Sequence, residues 1–278
     1  MTLATTHADF ESVATPDQLT LPRAAVRVLA ACATSRTLCA ELGFRDALSE
    51  QVFEQLGGDA CMFSEAELRG TAFRALVLDR LARDFFERHA QGLGVGLWPV
   101  LGTRAHRVEA GAWLDIDTPE VADLRRHLLP ERRAWRQASA GGCGNGLESL
   151  LGSGRQPLFL VLDESVLPLS SEAMARVLDD VSCRVPSGAE LLITFDACAP
   201  LRPTHAFQRC SMLELVLREQ GGHVARYPRL RFVDEHGYAA ELRTLVAGVN
   251  AIARLNHGIG SPAIAHFEGP LNLATRKP

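Results

Sequence analysis

Acidic residues stand directly behind three short apolar runs in this chain: Asp115-Ile116-Asp117, Asp163-Glu164-Ser165 and the single Asp196. A carboxylate at the carboxyl end of a parallel strand can accept both hydroxyls of a ribose, as in dinucleotide-binding folds. Three such ends on one rim point to a nucleoside pocket. The alternative stays open that these acids only cap the helices that follow, as Asp and Ser do at many helix starts.

Other chemistries find less support. No GxSxG elbow surrounds Ser165, and the chain contains no Walker loop and no HExxH pair. The nine histidines are dispersed. His205, His223, His257 and His266 fall in the second half, where one of them is a candidate general base toward a hydroxyl. His106 is expected to open a short helix. The seven cysteines (Cys32, Cys39, Cys61, Cys143, Cys183, Cys198, Cys210) are odd in number, scattered and without a CxxC pair. They read as reduced thiols in a cytoplasmic protein, and no metal site is expected.

Residues positioned in this way need strands and helices to hold them. The segment up to Pro22 reads as a loose leader. Arg23–Ala40 carries Val26, Leu29, Ala30, Ala33 and Leu38 at helical spacing, and Phe44–Leu56 repeats the pattern. Ser64 with Glu67 three residues on forms a capping box, opening a helix through Phe73, Leu76, Val77, Leu81 and Phe85, with Gly92 as its stop signal. Beyond Gly92, the runs Val95–Leu101, Ala112–Ile116, Pro157–Leu162 and Glu190–Phe195 alternate with helical segments at Glu120–Leu129 and Glu172–Val181. Such alternation predicts βαβ units and a mainly parallel sheet. A helix at Leu213–Gln220 and strands at Arg229–Val233 and Thr244–Ala253 complete the pattern, and the Gly141–Gly146 stretch reads as a surface loop.

Composition narrows the partners. With 29 basic and 33 acidic residues the formal net charge is −4, so a nucleic-acid partner is not expected. No apolar stretch reaches the length of a membrane span, and Met1–Glu11 lacks the features of a targeting segment. The basic cluster Arg125, Arg126, Arg132 and Arg133 reads as a solvated helix face.

The stretches RALVLD (Arg74–Asp79), LWPVLGTRAHR (Leu97–Arg107), LDIDTPEVADLRRHLLP (Leu114–Pro130) and ESVL (Glu164–Leu167) together resemble the leucine carboxyl methyltransferases and the tetracenomycin-type polyketide O-methyltransferases. The resemblance is most specific at Thr103-Arg104-x-x-Arg107 and Asp117-x-Pro119-Glu120-Val121. It implies an α/β fold of the class I methyltransferase type. A flexible leader (1–21) and a helical cap (22–91) would precede a Rossmann-like core (92–278) with a mainly parallel, seven-stranded sheet. It also implies S-adenosylmethionine as cofactor and the carboxyl or hydroxyl of a small natural product or peptide as acceptor. By the same resemblance Arg74 faces the methionine carboxylate, Asp117 with Asp115 takes the ribose hydroxyls, and Glu164 lies near the methionine amino group. Gly96, Trp98 and Arg104 fall in or beside the cofactor loop.

The loop departs from the family pattern. Trp98 and Val100 stand at its two glycine positions with Pro99 between them, and Gly102 replaces an aspartate. The family's tyrosine near Pro168 and its adenine-binding acid around Ser139–Cys143 are missing as well. Two functional classes therefore stand side by side: a methyltransferase, and a methyltransferase-fold protein that scaffolds a partner or runs other chemistry in an altered pocket.

Overall fold

The computed structural model describes residues 12–14, 20–108, 111–139, 156–163, 190–195, 231–237 and 263–268, with backbone alone for 12–14, 20, 163 and the last three segments. Within the expected leader, a short strand β1 (Ser12–Ala14) pairs antiparallel with β2 (Thr20–Pro22). So short a pairing rests on backbone groups and leaves no side-chain pattern to read.

Three helices follow. Helix α1 (Arg23–Leu38) buries Val26, Leu29 and Ala30, as its periodicity predicts. Helix α2 (Ala47–Gln55) starts later than the apolar pattern suggests, because the Asp46 carboxylate accepts the Ser49 N–H at 3.0 Å and fixes the first turn there. Helix α3 (Glu65–Arg88) opens on the expected capping box: the Glu67 N–H donates to Ser64 Oγ at 3.3 Å, and the Ser64 N–H to Glu67 Oε2 at 2.8 Å. It ends at His89 rather than at Gly92, whose missing side chain instead makes room for the Phe85 ring.

The strands are β3 (Leu93–Leu97), β4 (Ala112–Asp117), β5 (Trp135–Ser139), β6 (Leu158–Asp163), β7 (Glu190–Phe195), β8 (Arg231–Gly237) and β9 (Ala263–Glu268). Two short helices lie among them, α4 (Arg104–Arg107) and α5 (Pro119–Leu128). The sheet order is β5-β4-β3-β6-β7-β9-β8, with β9 antiparallel to both neighbours and the pairs from β5 to β7 parallel. This is the class I methyltransferase arrangement: strand order reverses at β3, which lies between β4 and β6.

The central strand is shorter than the apolar run Val95–Leu101 suggests. It ends at Leu97, and the loop begins at Trp98. Gly94 and Gly96 are strand residues, each facing a large neighbour in register on β4. A Cβ on Gly94 would fall 2.2 Å from the Trp113 ring, and one on Gly96 would fall 2.4 Å from the Asp115 carboxylate. Strand β5 escapes the apolar pattern because only Trp135 of its five residues is buried. Strand β9 was not expected either. The expected strand at Thr244–Ala253, the helices at Glu172–Val181 and Leu213–Gln220, and the Gly141–Gly146 loop lie outside the described residues.

One face of the sheet carries a continuous aromatic layer. Phe85 and Phe86 of α3 meet Phe159 and Trp113 at ring-centroid distances of 5.2 and 6.1 Å, and Leu124 of α5 joins the same cluster. The helical layer and the sheet thus share one core. Phe85 is fully buried at its centre. Replacing it with alanine is expected to cost about 3–5 kcal/mol, measured as a lowered urea midpoint with unchanged slope.

Candidate functional site at the strand switch point

In open α/β sheets ligands sit beyond the carboxyl ends of strands where the order reverses. Here that point is the crevice edge formed by the end of β3, the loop Trp98–Thr103 and the end of β4. Asp117, the last residue of β4, is buried at this edge. Its Oδ2 accepts the Val100 N–H at 2.8 Å and its Oδ1 the Thr118 N–H at 3.0 Å. Helix α5 is capped by Thr118, whose hydroxyl accepts the Val121 N–H, with Pro119 at the first helical position. Capping therefore does not account for Asp117. Burial pushes its carboxyl up to about 6, against the opposing pull of the Thr118 amide, Arg125 and the Val100 amide.

Asp115, two residues back on the same face, has a different environment. Its carboxylate accepts the indole N–H of Trp113 at 2.9 Å and that of Trp135 at 2.8 Å, and it forms an ion pair with Arg125. Arg125 is completely buried, so the expectation of a solvated basic face fails at this residue. It sits four residues after Val121 and three before Leu128, on the inward phase of α5. Its guanidinium also donates to the carbonyls of Val100 and Gly102, at 2.7 and 2.9 Å. Arg132 likewise turns inward, to the carbonyls of Ala105 and Val108. Arg126, by contrast, is exposed and pairs with Asp123 on the helix surface.

The loop backbone is unusual. Trp98 has φ 52° and Val100 φ 45°, both in the left-handed region that favours glycine. Trp98 and Val100, which the resemblance sets at the family's glycine positions, thus have a glycine-type backbone, with both side chains buried. The Trp98 N–H reaches across to the Ile116 carbonyl at 2.8 Å.

A second polar cluster ties the helical layer to this loop. Asp79 on α3 receives the Arg107 guanidinium through two bonds, at 2.6 and 3.0 Å, and Arg104 Nε at 3.2 Å. Arg107 continues to Asp46 at 2.5 Å and to Thr103 Oγ1 at 2.6 Å. Burial alone would raise the Asp46 carboxyl, but Arg107, Thr103 and Ser49 together hold it below its ordinary value. Cys32 borders this cluster, and burial pushes its thiol to about 12, too high for a nucleophile at neutral pH.

The expected site residues therefore separate. Asp117 and Trp98 lie at the switch point, with Gly96 just behind them inside the strand. Asp115 is occupied by Arg125 and two indoles, and Arg104 by Asp79. Arg74 is buried on α3, and Glu164 lies outside the described residues. His106 lies in the short helix but does not open it, since α4 starts two residues earlier at Arg104; its Nε2 meets the Pro130 carbonyl and its ring packs against Trp135. A cleft of about 450 Å³ between the start of α2, α3 and α4 is lined by none of the expected cofactor residues. Among the described residues no group of three acidic, His or Cys side chains is placed to hold a metal, and no helix is long and apolar enough to cross a membrane.

This geometry can be set beside known proteins. The chain is similar to the tetracenomycin polyketide synthesis O-methyltransferase TcmP of Streptomyces glaucescens, with 30% identity over 161 residues, 56% of this chain and 58% of that protein. The match thus spans less than two thirds of the curated relative. A putative methyltransferase structure from Thermobifida fusca covers 88% of this chain and 94% of its own at 16% identity, with a TM-score of 0.49. A DUF574 family protein from Streptomyces avermitilis covers 85% and 97% at 15% identity, with a TM-score of 0.47. No family profile matches the sequence. The resemblance to the tetracenomycin-type methyltransferases is borne out by the TcmP match, and the fold is that of a class I methyltransferase.

In the unfolded chain Asp117 loses its proton near 3.8, and in the fold near 6. Between the two values the folded state binds more protons, so this group's contribution to stability falls as pH rises through that window. Asp117→Asn is expected to be more stable relative to wild type at pH 7 than at pH 4.5, read from urea midpoints at both pH values. In the second cluster, Asp79→Ala leaves Arg104 without its carboxylate and Arg107 with Asp46 alone, and is expected to cost about 3–5 kcal/mol by the same measurement.

Proposed function

We propose that this protein is an S-adenosylmethionine-dependent O-methyltransferase acting on a carboxyl or hydroxyl of a small natural product or peptide. The observation that carries the reading is Asp117: a buried acid at the carboxyl end of the strand beside the switch point, not used as a helix cap, in a chain similar to a polyketide O-methyltransferase. The residues at the edge fit a nucleoside. Asp117 Oδ1 and Oδ2 each take one amide N–H and keep a lone pair for a ribose hydroxyl. The loop backbone holds its glycine geometry although it carries side chains.

In this reading Asp117 binds the ribose and Arg74 the methionine carboxylate, a charge-assisted pair. Glu164 is assigned to the methionine amino group. Asp115 is reassigned from the ribose to the support of the loop, and Arg104 to the support of α3. The bound sulfonium supplies a methyl carbon open to displacement by an acceptor oxygen. What the chain adds is alignment of that oxygen and exclusion of water, so a carboxylate acceptor needs no dedicated base. A hydroxyl acceptor calls for one, and the described residues supply no histidine at the crevice edge for it.

Calorimetric titration with S-adenosylmethionine and S-adenosylhomocysteine tests the reading. Binding in the micromolar range is expected, weakened at least tenfold in Asp117→Ala. Absence of heat and of any thermal shift at millimolar ligand would leave the scaffold reading in its place.

A further inference from the structure

A residue's φ and ψ are fixed once the peptide planes on its two sides are fixed. At Val100 both planes are held by side chains from elsewhere in the chain. The plane before it is held by Asp117, which accepts the Val100 N–H at 2.8 Å. The plane after it is held by Arg125, which donates to the Val100 carbonyl at 2.7 Å and to that of Gly102 at 2.9 Å. Between these two restraints sits a β-branched residue at φ 45°, a region such side chains avoid. Arg125 is itself fixed by Asp115, which is fixed in turn by two indole N–H groups.

From this chain of contacts we propose that Arg125 is a positioning residue for the nucleoside loop, holding Val100 in the left-handed conformation that glycine would adopt unaided. The family resemblance assigns no role to this arginine. A left-handed backbone costs a side-chain-bearing residue roughly 1–2 kcal/mol, and such strain persists only where the surroundings over-determine it. Arg125 supplies that over-determination from a helix that otherwise only covers the sheet. The loop is then preset before a ligand arrives, so binding carries no cost for ordering it. The effect on affinity rests on the proposed cofactor reading; the effect on loop conformation does not.

A double-mutant cycle separates positioning from plain structural support. Arg125→Lys retains the charge opposite Asp115 but cannot span the two carbonyls. Val100→Gly removes the left-handed penalty, so a clamp on that residue loses its purpose. In the wild-type background Arg125→Lys lets Val100 relax and recover its strain, so it is expected to raise the unfolding equilibrium constant by a factor up to about tenfold smaller than in the Val100→Gly background, where there is no strain to release. S-adenosylhomocysteine affinity is expected to move the other way, weakened about tenfold by Arg125→Lys alone, because the relaxed loop must be re-ordered on binding, and largely restored in the double variant. Equal effects of Arg125→Lys in both backgrounds, within twofold, would overturn the proposal. If wild type binds no S-adenosylhomocysteine, the cofactor reading fails while the unfolding cycle still decides the clamp. If Arg125→Lys does not fold in either background, the pair Val100→Ala and Val100→Gly decides: both delete the side chain, but only alanine keeps the strain. Glycine more stable than alanine supports the clamp's burden, and alanine more stable than glycine overturns it.

Discussion

The Asp115 carboxylate is the point on which the switch-point architecture depends. It is buried on the sheet face beneath α5, and its charge is tolerated because Arg125 and the two indole N–H groups of Trp113 and Trp135 surround it. Removing the carboxylate would leave three buried donors without it, so the group behaves as a unit. Through Arg125 the same carboxylate reaches the loop after β3, and through Trp135 it fastens the otherwise polar strand β5 to the sheet.

The second cluster performs a comparable task between layers. Asp46 caps α2, Asp79 lies mid-way along α3, and Arg107 joins both to Thr103 at the far end of the loop. The loop is thus held by Asp117 at the end of β4 and Arg125 of α5, and from the N-terminal helical layer through Thr103. A loop restrained at both ends suits a site that recognises its ligand through backbone and fixed carboxylates.

Much of this was legible in the residues. The capping box at Ser64, a short helix near His106 and a strand with an acidic end at Asp115–Asp117 follow from local chemistry acting over a few positions, which a sequence displays directly. The ends of β3 were not legible, since Trp98 and Val100 extend an apolar run that the backbone abandons at Leu97. Glycines 94 and 96 look like loop residues in isolation. They are strand residues because Trp113 and Asp115, on the next strand, need the space. Arg125 shows the same limit: it sits in a charged run with Arg126, and only its phase against Val121 and Leu128 hints that it faces inward. Asp46 carried the Asp-x-x-Ser signature of a helix start, but nothing local revealed that Arg107 would meet it. Long-range partners decide these residues, and pairing across dozens of positions leaves no local trace.

The stripe of missing side chains on β3 also constrains how this protein can change over generations. Trp113 lies where a Cβ on Gly94 would have to go, and Asp115 does the same to Gly96. Neither glycine can be exchanged until its partner on β4 has become smaller. Shrinking Trp113 first, however, opens a void against Phe86 and Phe159 and removes one donor from Asp115. The central strand and its neighbour are therefore locked into a fixed order of replacement with a costly first move, and drift should accumulate on α5's outer face and the cap surface long before it reaches this pair.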